Sequence, residues 1–159
     1  MVHPVKEDDL IKNILASAKT IAMVGVSSIK KEVSTNIKRR PSIIVMKYLQ
    51  EFGYRVIPVN PFSVGKEIYG ETVVAQLEDI KIPIDIVDVF RPSTEAPELA
   101  RQAAKIKAKV LWLQYGIQNN EAKEIVESKN IFYFSNKCIK QEYQRLFLKV
   151  SPVFPALKN

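Results

Sequence analysis

The chain has 159 residues, of which 47% are hydrophobic and 26% charged, with one cysteine and one histidine. These fractions are ordinary for a folded domain and exclude an intrinsically disordered chain or a fibrous repeat. The net charge of +7 favours polyanionic partners, among which a nucleic acid, a phosphorylated cofactor and an acidic protein are all compatible with it.

The first half of the chain alternates helical and strand patterns. An amphipathic helix is predicted over Asp9–Leu15, where apolar residues recur three and four apart. Thr20–Val26 is a short apolar run typical of a strand buried on both faces, and a helix is predicted over 42–52, followed by a glycine. Arg55–Val59 is the second predicted strand. Its Pro58 indicates pairing on one side only, or a position near the strand end.

The second half repeats the alternation after a stretch of loop. Asn60–Gly70, with one proline and two glycines, is predicted as a loop, and 72–80 has no clear pattern. Strands are then predicted at Ile84–Phe90, Lys109–Gln114 and Ile131–Phe134, and helices at 94–106, 120–129 and 138–148. This alternation predicts an α/β fold: a single Rossmann-like, doubly wound, mainly parallel five-stranded sheet with helices on both faces. We expect one domain over 1–159, with its core at 15–148.

The loop after the first strand has features of a phosphate site. In an open parallel sheet, ligands bind beyond the carboxyl ends of the strands, where the strand order reverses. There, Gly25 lets backbone approach a phosphate, and Ser27 and Ser28 supply hydrogen bonds. Basic residues follow before the next helix: Lys30, Lys31, Lys38, Arg39 and Arg40. A plain strand-to-helix turn is the alternative.

Two features disfavour a nicotinamide dinucleotide. The fingerprint G-x-G-x-x-G is broken, because Ser27 and Lys30 stand where its second and third glycines belong. The second strand ends in Asn60-Pro61 rather than in the acidic residue that usually holds the ribose hydroxyls. An NAD(P)-binding regulator is therefore the least favoured interpretation.

Several runs of residues, in order along the chain, resemble the small coenzyme A-binding proteins. They are Ile21-Ala22-Met23-Val24-Gly25-Val26-Ser27-Ser28, Arg40-Pro41-Ser42, Lys47-Tyr48-Leu49, Gly53-Tyr54-Arg55-Val56-Ile57-Pro58-Val59-Asn60-Pro61, Ile68-Tyr69-Gly70, Val87-Asp88-Val89-Phe90-Arg91-Pro92, Trp112-Leu113-Gln114-Tyr115-Gly116 and Asn136-Lys137-Cys138-Ile139-Lys140. The family is similar to the coenzyme A-binding domain of the succinyl-coenzyme A synthetase α subunit, which is a Rossmann-like sheet.

The resemblance implies that coenzyme A binds across the point where the strand order reverses. On the matching positions, Gly25, Ser27 and Ser28 would contact the phosphate arm, Arg40 and Ser42 are candidates for a phosphate, Asn60 and Pro61 would flank the nucleotide, and Phe90, Arg91 and Pro92 would lie along the ligand's course. The synthetase has a lysine shortly after its matching proline. Here Phe62 and Ser63 stand there, and Lys66 is a substitute from the same loop.

The sequence offers few catalytic groups. His3 matches nothing catalytic, and we expect no domain like the one in which the synthetase carries its phosphohistidine. Asp85 and Asp88 are three apart on one strand, so they point to opposite faces and do not form an acid/base pair. We expect Asp88 to orient Arg91 or a loop backbone instead. With one cysteine and one histidine, no metal site is expected.

Cys138 is the remaining chemically distinctive residue. Flanking lysines favour the thiolate form of a cysteine, so a mixed disulfide between Cys138 and the coenzyme A thiol is one hypothesis. A small apolar side chain at a strand end is the alternative.

Coenzyme A or acyl-coenzyme A binding by a non-catalytic carrier, sensor or regulatory module is thus the favoured function. An enzyme using Cys138 in thiol exchange or acyl transfer, or a subunit of a split acyl-coenzyme A ligase, is second. The lone cysteine, the lack of a long apolar run and the polar start MVHPVKEDDL predict a cytoplasmic protein that binds no membrane. No nucleic-acid motif is present, and a protein partner or homodimer stays open.

Overall fold

The computed structural model of the chain describes residues 4–26 and 41–149. The strands are β1 (Thr20–Val24), β2 (Arg55–Val59), β3 (Glu67–Ile68), β4 (Glu71–Thr72), β5 (Ile86–Val89), β6 (Val110–Leu113) and β7 (Phe132–Phe134). The helices are α1 (Pro4–Ser17), α2 (Pro41–Glu51), α3 (Ala96–Lys105), α4 (Asn120–Glu127) and α5 (Ile139–Tyr143), which continues as a π-helical turn to Leu148. No helix among these residues is long and apolar enough to cross a membrane.

Five strands form one all-parallel sheet in the order β2-β1-β5-β6-β7. The predicted α/β class, the strand number and the parallel pairing are confirmed. β2 lies at the sheet edge, where Pro58 removes no hydrogen bond from a second neighbouring strand. The remaining two strands, β3 and β4, form a small antiparallel hairpin that occupies part of the predicted 60–70 loop. The prediction of a loop was therefore wrong at 67–68. A strand of two residues is too short to show the alternation of apolar and polar residues that identifies a strand in the sequence.

Helices cover both faces of the sheet, because side chains alternate between the faces along each strand. On one face, Met23 of β1 and Trp112 of β6 pack in a core with α1, α2 and α5. On the other face, Val24 and Leu113 pack in a second core with α3 and α4. The buried apolar side chains of the sheet are therefore divided between two separate layers.

Local signals explain where the helices begin and end. Asn119 is the N-cap of α4, and its side chain accepts a hydrogen bond of 2.8 Å from the Ala122 N–H. Gly53 follows α2 with a φ of +98°, as predicted from a glycine at that place. The predicted helix from 94 splits into a 3₁₀ turn over Ser93–Glu95 and then α3, with Pro97 in the first turn of α3.

Asp88 lies in the first core with its carboxyl group completely buried. In the sheet register, Asp88 lies between Met23 of β1 and Trp112 of β6. Within the described part of the chain, neither of its carboxyl oxygens has a hydrogen-bond partner. The expected contact with Arg91 is absent there, because Asp88 points to the α2 face whereas Arg91 pairs with Glu95. Burial raises the pKa of Asp88 well above its ordinary value.

We predict that Asp88→Asn removes a pH dependence of stability. The folded protein keeps a proton on Asp88 that the unfolded chain releases above about pH 4, so the free energy of unfolding falls by about 1.4 kcal/mol per pH unit until the folded-state pKa is reached. The variant lacks this slope and is the more stable protein at pH 7. Urea unfolding between pH 4 and 8 measures it.

Asp85→Asn is the matched control. Burial opposes ionisation of Asp85, but hydrogen bonds from the N–H groups of Lys19 and Thr20, together with Lys109, give it a lowered pKa. Its stabilising effect is present at neutral pH and is lost as pH falls, which is the opposite dependence. Equal slopes for the wild type and Asp88→Asn would contradict the prediction.

Candidate functional site

The sheet has one place where neighbouring strands lead to helices on opposite faces. β1 and β5 are adjacent, but α2, which follows β1, packs on one face and α3, which follows β5, packs on the other. A crevice opens at such a point beyond the carboxyl ends of the strands. In this protein it is a cleft of about 790 Å³.

The described residues that line this cleft come from four loops and one helix. They are Val24 and Gly25 at the end of β1, Val59, Asn60, Pro61 and Phe62 at the end of β2, Ala75 and Gln76, then Arg91, Thr94 and Glu95 after β5, and Glu98, Leu99 and Gln102 of α3. Valine and leucine side chains form an apolar floor, and amide, hydroxyl and charged groups form the walls. The cleft therefore suits a ligand that has both flat apolar and polar parts.

Gly25 is required by the close approach of two loops. Its φ is +100°, and a Cβ atom built on it would lie 2.8 Å from the carbonyl oxygen of Phe90 and 3.0 Å from Cδ of Arg91. β1 consequently ends at Val24, earlier than predicted. The Gly25 N–H donates to the Val59 carbonyl at 2.9 Å, and the missing side chain makes room for the Phe90 carbonyl and the Arg91 stem.

Asn60 connects the loop after β2 to the loop after β1. Its side-chain N–H donates to the carbonyl of Val26 at 2.9 Å, and its Oδ1 accepts from the Phe62 N–H at 2.9 Å. This turn projects the Phe62 ring into solvent, with 88% of the residue exposed. Pro61 lies between them on the cleft wall.

Arg91 is the only cation that lines the cleft within the described residues. Its Nε and Nη2 donate to the two carboxylate oxygens of Glu95 at 2.9 and 2.8 Å. The hydrogen bond from Arg91 lowers the pKa of Glu95. One turn further along, Gln102 and Arg101 hydrogen-bond Glu98 and lower its pKa. Both carboxylates of the cleft are therefore ionised and already engaged.

The structure brings together some of the residues that the sequence singled out and separates others. Gly25, Asn60, Pro61 and Arg91 line the cleft. Phe90 packs against the first core on the opposite face, and Ser42 is buried in the first turn of α2. Pro92 precedes the 3₁₀ turn and, like Lys66, is not among the described lining residues. The predictions for Ser27, Ser28 and Arg40 lie outside the described residues.

Sequence reasoning missed the wall that the 3₁₀ turn and α3 contribute. Thr94, Glu95, Glu98 and Gln102 line the cleft, and none of them was a candidate from the sequence. The spacing of Arg91 and Glu95, four apart across a proline, was the available signal. Within the described ranges, no group of three or more His, Cys, Asp or Glu side chains could hold a metal ion.

Cys138 lies at the same end of the sheet but outside the described cleft lining. It is partly buried, precedes α5 and packs against the first core. Two hydrogen bonds fix its neighbours: Trp112 Nε1 donates to the Lys137 carbonyl at 2.8 Å, and Gln114 Oε1 accepts from the Ile139 N–H at 3.2 Å.

A doubly wound parallel sheet with its crevice where the strand order reverses defines the Rossmann-like class. Within that class, the chain belongs to the family described as the CoA binding domain, whose family model matches residues 19–144. This match confirms the family that the sequence motifs resemble.

Known proteins agree with this assignment. The uncharacterized protein YneT of Bacillus subtilis (strain 168) is 38% identical over 140 residues, which are 88% of this chain and 95% of YneT. A solved structure from Thermus thermophilus is 36% identical with a TM-score of 0.79, over 88% of this chain and 98% of that one. Part of the dinucleotide-forming acetyl-coenzyme A synthetase 1 of Ca. Korarchaeum cryptofilum, 18% identical with a TM-score of 0.60, shows the same fold over 74% of this chain and 26% of that protein.

We predict that Gly25→Ala destabilises the protein far more than Gly53→Ala. Both glycines have a φ near +100°, but a Cβ at Gly53 would meet nothing within 4 Å, whereas at Gly25 it would meet the Phe90 carbonyl. Gly53→Ala should cost about 1 kcal/mol for the backbone conformation alone, and Gly25→Ala about 3 kcal/mol or more. Chemical denaturation of both variants measures the difference, and equal losses would show that the close approach is not required.

Proposed function

We propose that this protein binds coenzyme A or acyl-coenzyme A across the crevice and acts as a non-catalytic carrier, sensor or regulatory module. The observation that carries the proposal is the passage at Gly25. There a side-chain-free backbone and the Arg91 side chain meet at the reversal point of the sheet, in a chain of the CoA binding domain family. An arginine held at this point suits a pyrophosphate, which a guanidinium group binds through two parallel hydrogen bonds.

The distribution of charge supports a ligand with several phosphates. Residues 27–40 contain five of the 24 basic side chains of the chain and a single acid, Glu32. In the sequence this segment begins three residues after the end of β1. Excess positive charge at a cleft raises the local concentration of an anionic ligand and speeds its association.

The proposed orientation follows from the shape of the cleft. The phosphate arm would pass over Gly25 towards Ser27, Ser28, Arg40 and Ser42, the phosphate-binding residues that the family resemblance implies. The adenosine end would lie in the cleft beside Asn60 and Pro61, where the walls offer flat and uncharged contacts. The Phe62 ring, exposed beside this wall, is available to cover the bound base.

The chemistry of the cleft supports binding rather than proton transfer. A general acid or base needs a pKa near the working pH, whereas hydrogen bonds from Arg91 lower the pKa of Glu95 and hydrogen bonds from Gln102 and Arg101 lower that of Glu98. Asp88, the carboxyl group with a raised pKa, faces the other side of the sheet among apolar side chains.

Calorimetric titration of the whole protein tests the proposal. We expect coenzyme A to bind with micromolar or tighter affinity, 3′-dephospho-coenzyme A more weakly, and NAD weakest, with affinities that fall as salt is raised. Arg91→Ala should weaken coenzyme A binding about tenfold through loss of a charge-assisted contact. Arg55→Ala is the matched control and should bind as the wild type does, because Arg55 pairs with Glu71 and neither residue lines the cleft.

Other results would contradict this function. A preference for NAD would favour an NAD(P)-binding regulator, and no binding of any of the three ligands would exclude the crevice as a coenzyme A site. Turnover of an acyl-coenzyme A by the protein, alone or with a second subunit, would favour the enzyme or the split ligase.

A thiol-exchange function is the second candidate, because Cys138 is a free, partly exposed cysteine at the ligand end of the sheet. In that reaction the Cys138 thiolate attacks coenzyme A disulfide, one S–S bond breaks as another forms, and one coenzyme A thiolate leaves. We expect a carrier to give no mass adduct with coenzyme A disulfide and Cys138→Ser to keep the wild-type affinity. An adduct that Cys138→Ser abolishes would favour thiol exchange.

A further inference from the structure

Glu95 is placed to control the orientation of the one described cation in the cleft. We propose that Glu95 is a positioning residue that holds Arg91 with one edge of its guanidinium group turned towards an anionic group of the ligand. The inference rests on the proposed function, because it concerns a phosphate-bearing ligand in the same crevice. It gives a role in binding an anionic ligand to an acidic residue, although the charge of that residue repels the ligand.

The stem of Arg91 is fixed by the backbone beside it. Cδ of Arg91 occupies the space over Gly25, 3.0 Å from the position that a Cβ atom would take. A long flexible side chain ordinarily loses considerable rotamer entropy when it grips a ligand. Here Cδ of the stem already lies in the space that the missing side chain of Gly25 leaves open.

The head of Arg91 is fixed by both oxygens of Glu95. Nε donates to Oε1 at 2.9 Å and Nη2 donates to Oε2 at 2.8 Å. A guanidinium group has five N–H donors, so this pair uses two and leaves both donors of Nη1 and one of Nη2. Among the described residues, none accepts a hydrogen bond from these three donors. They form a second edge with the geometry that a phosphate accepts through two parallel bonds.

The carboxylate of Glu95 is itself held in place. Glu95 ends the 3₁₀ turn that follows Pro92, and its N–H donates to the Pro92 carbonyl at 2.9 Å. The Arg91 and Glu95 side chains remain 40% and 45% exposed, and ion pairs of such exposure contribute little to stability. Their two-bond arrangement is therefore better explained by orientation of Arg91 than by support of the fold.

Charge and orientation predict opposite effects of removing Glu95. A carboxylate beside the site repels an anionic ligand, so on charge alone Glu95→Gln should tighten binding. If Glu95 positions Arg91, the same change should weaken binding, because glutamine replaces one accepting oxygen with a donor and releases the guanidinium. The sign of the effect separates the two roles.

The test is a double-mutant cycle in the full chain, measured as the dissociation constant for coenzyme A. We expect Glu95→Gln to weaken binding about fivefold in the wild type, and to leave binding unchanged or slightly tighter when Arg91 is already alanine, since only the repulsion by the carboxylate is then removed. Glu71→Gln is the control: it removes an equal charge from a comparable pair, in which Arg55 Nε and Nη2 donate to the Glu71 carboxylate and neither residue lines the cleft. It should stay within about twofold of the wild type. Thermal unfolding verifies that all variants fold.

The inference is overturned if Glu95→Gln tightens binding, leaves it unchanged, or weakens it equally in the Arg91→Ala background. If the wild type does not bind coenzyme A, the proposed function fails. The positioning role is then tested by titrating the protein with inorganic pyrophosphate and measuring the NMR resonance of the Arg91 Nε–H. A pyrophosphate-dependent shift that Glu95→Gln abolishes would support the positioning role, and no shift in the wild type would overturn it.

Discussion

The contact between the loops after β1 and β5 is the constraint on which the site depends. The Phe90 carbonyl lies so close to Gly25 that no side chain fits between them. This contact ends β1, closes one side of the cleft and lays the Arg91 stem across the glycine. It is possible only because the two strands are parallel neighbours whose chains leave towards opposite faces of the sheet. Topology and a single missing methyl group thus create the crevice together.

The sheet and its strand positions could be predicted from the sequence because burial on both faces produces apolar runs, and helices separate them. The β3–β4 hairpin could not be predicted, since a strand of two residues is too short to show an alternation of apolar and polar side chains. Its turn places Tyr69 and Gly70 at positive φ, and a tyrosine there gives no turn signal, although a glycine does.

The candidate site was predictable at its backbone positions and less so at its side chains. Gly25, Asn60 and Arg91 follow strands directly, so their place at the carboxyl edge follows from chain order alone. Chain order does not determine on which side of the sheet a loop residue lies. Phe90 and Ser42 face the α2 side, whereas Glu95 and Glu98 reach the cleft because a proline turn and a helix carry them there. Such placement depends on tertiary packing rather than on local sequence.

Trp112, the one tryptophan of the chain, gives the carboxyl edge an optical reporter of its own. Its ring is completely buried against Phe134, and its indole N–H is bonded to the Lys137 carbonyl next to Cys138. Indole emission depends on the polarity and hydrogen bonding of its surroundings. A movement of the segment after β7 should therefore change the fluorescence of Trp112 without any added label. The tryptophan would report this movement from the face of the sheet opposite the cleft.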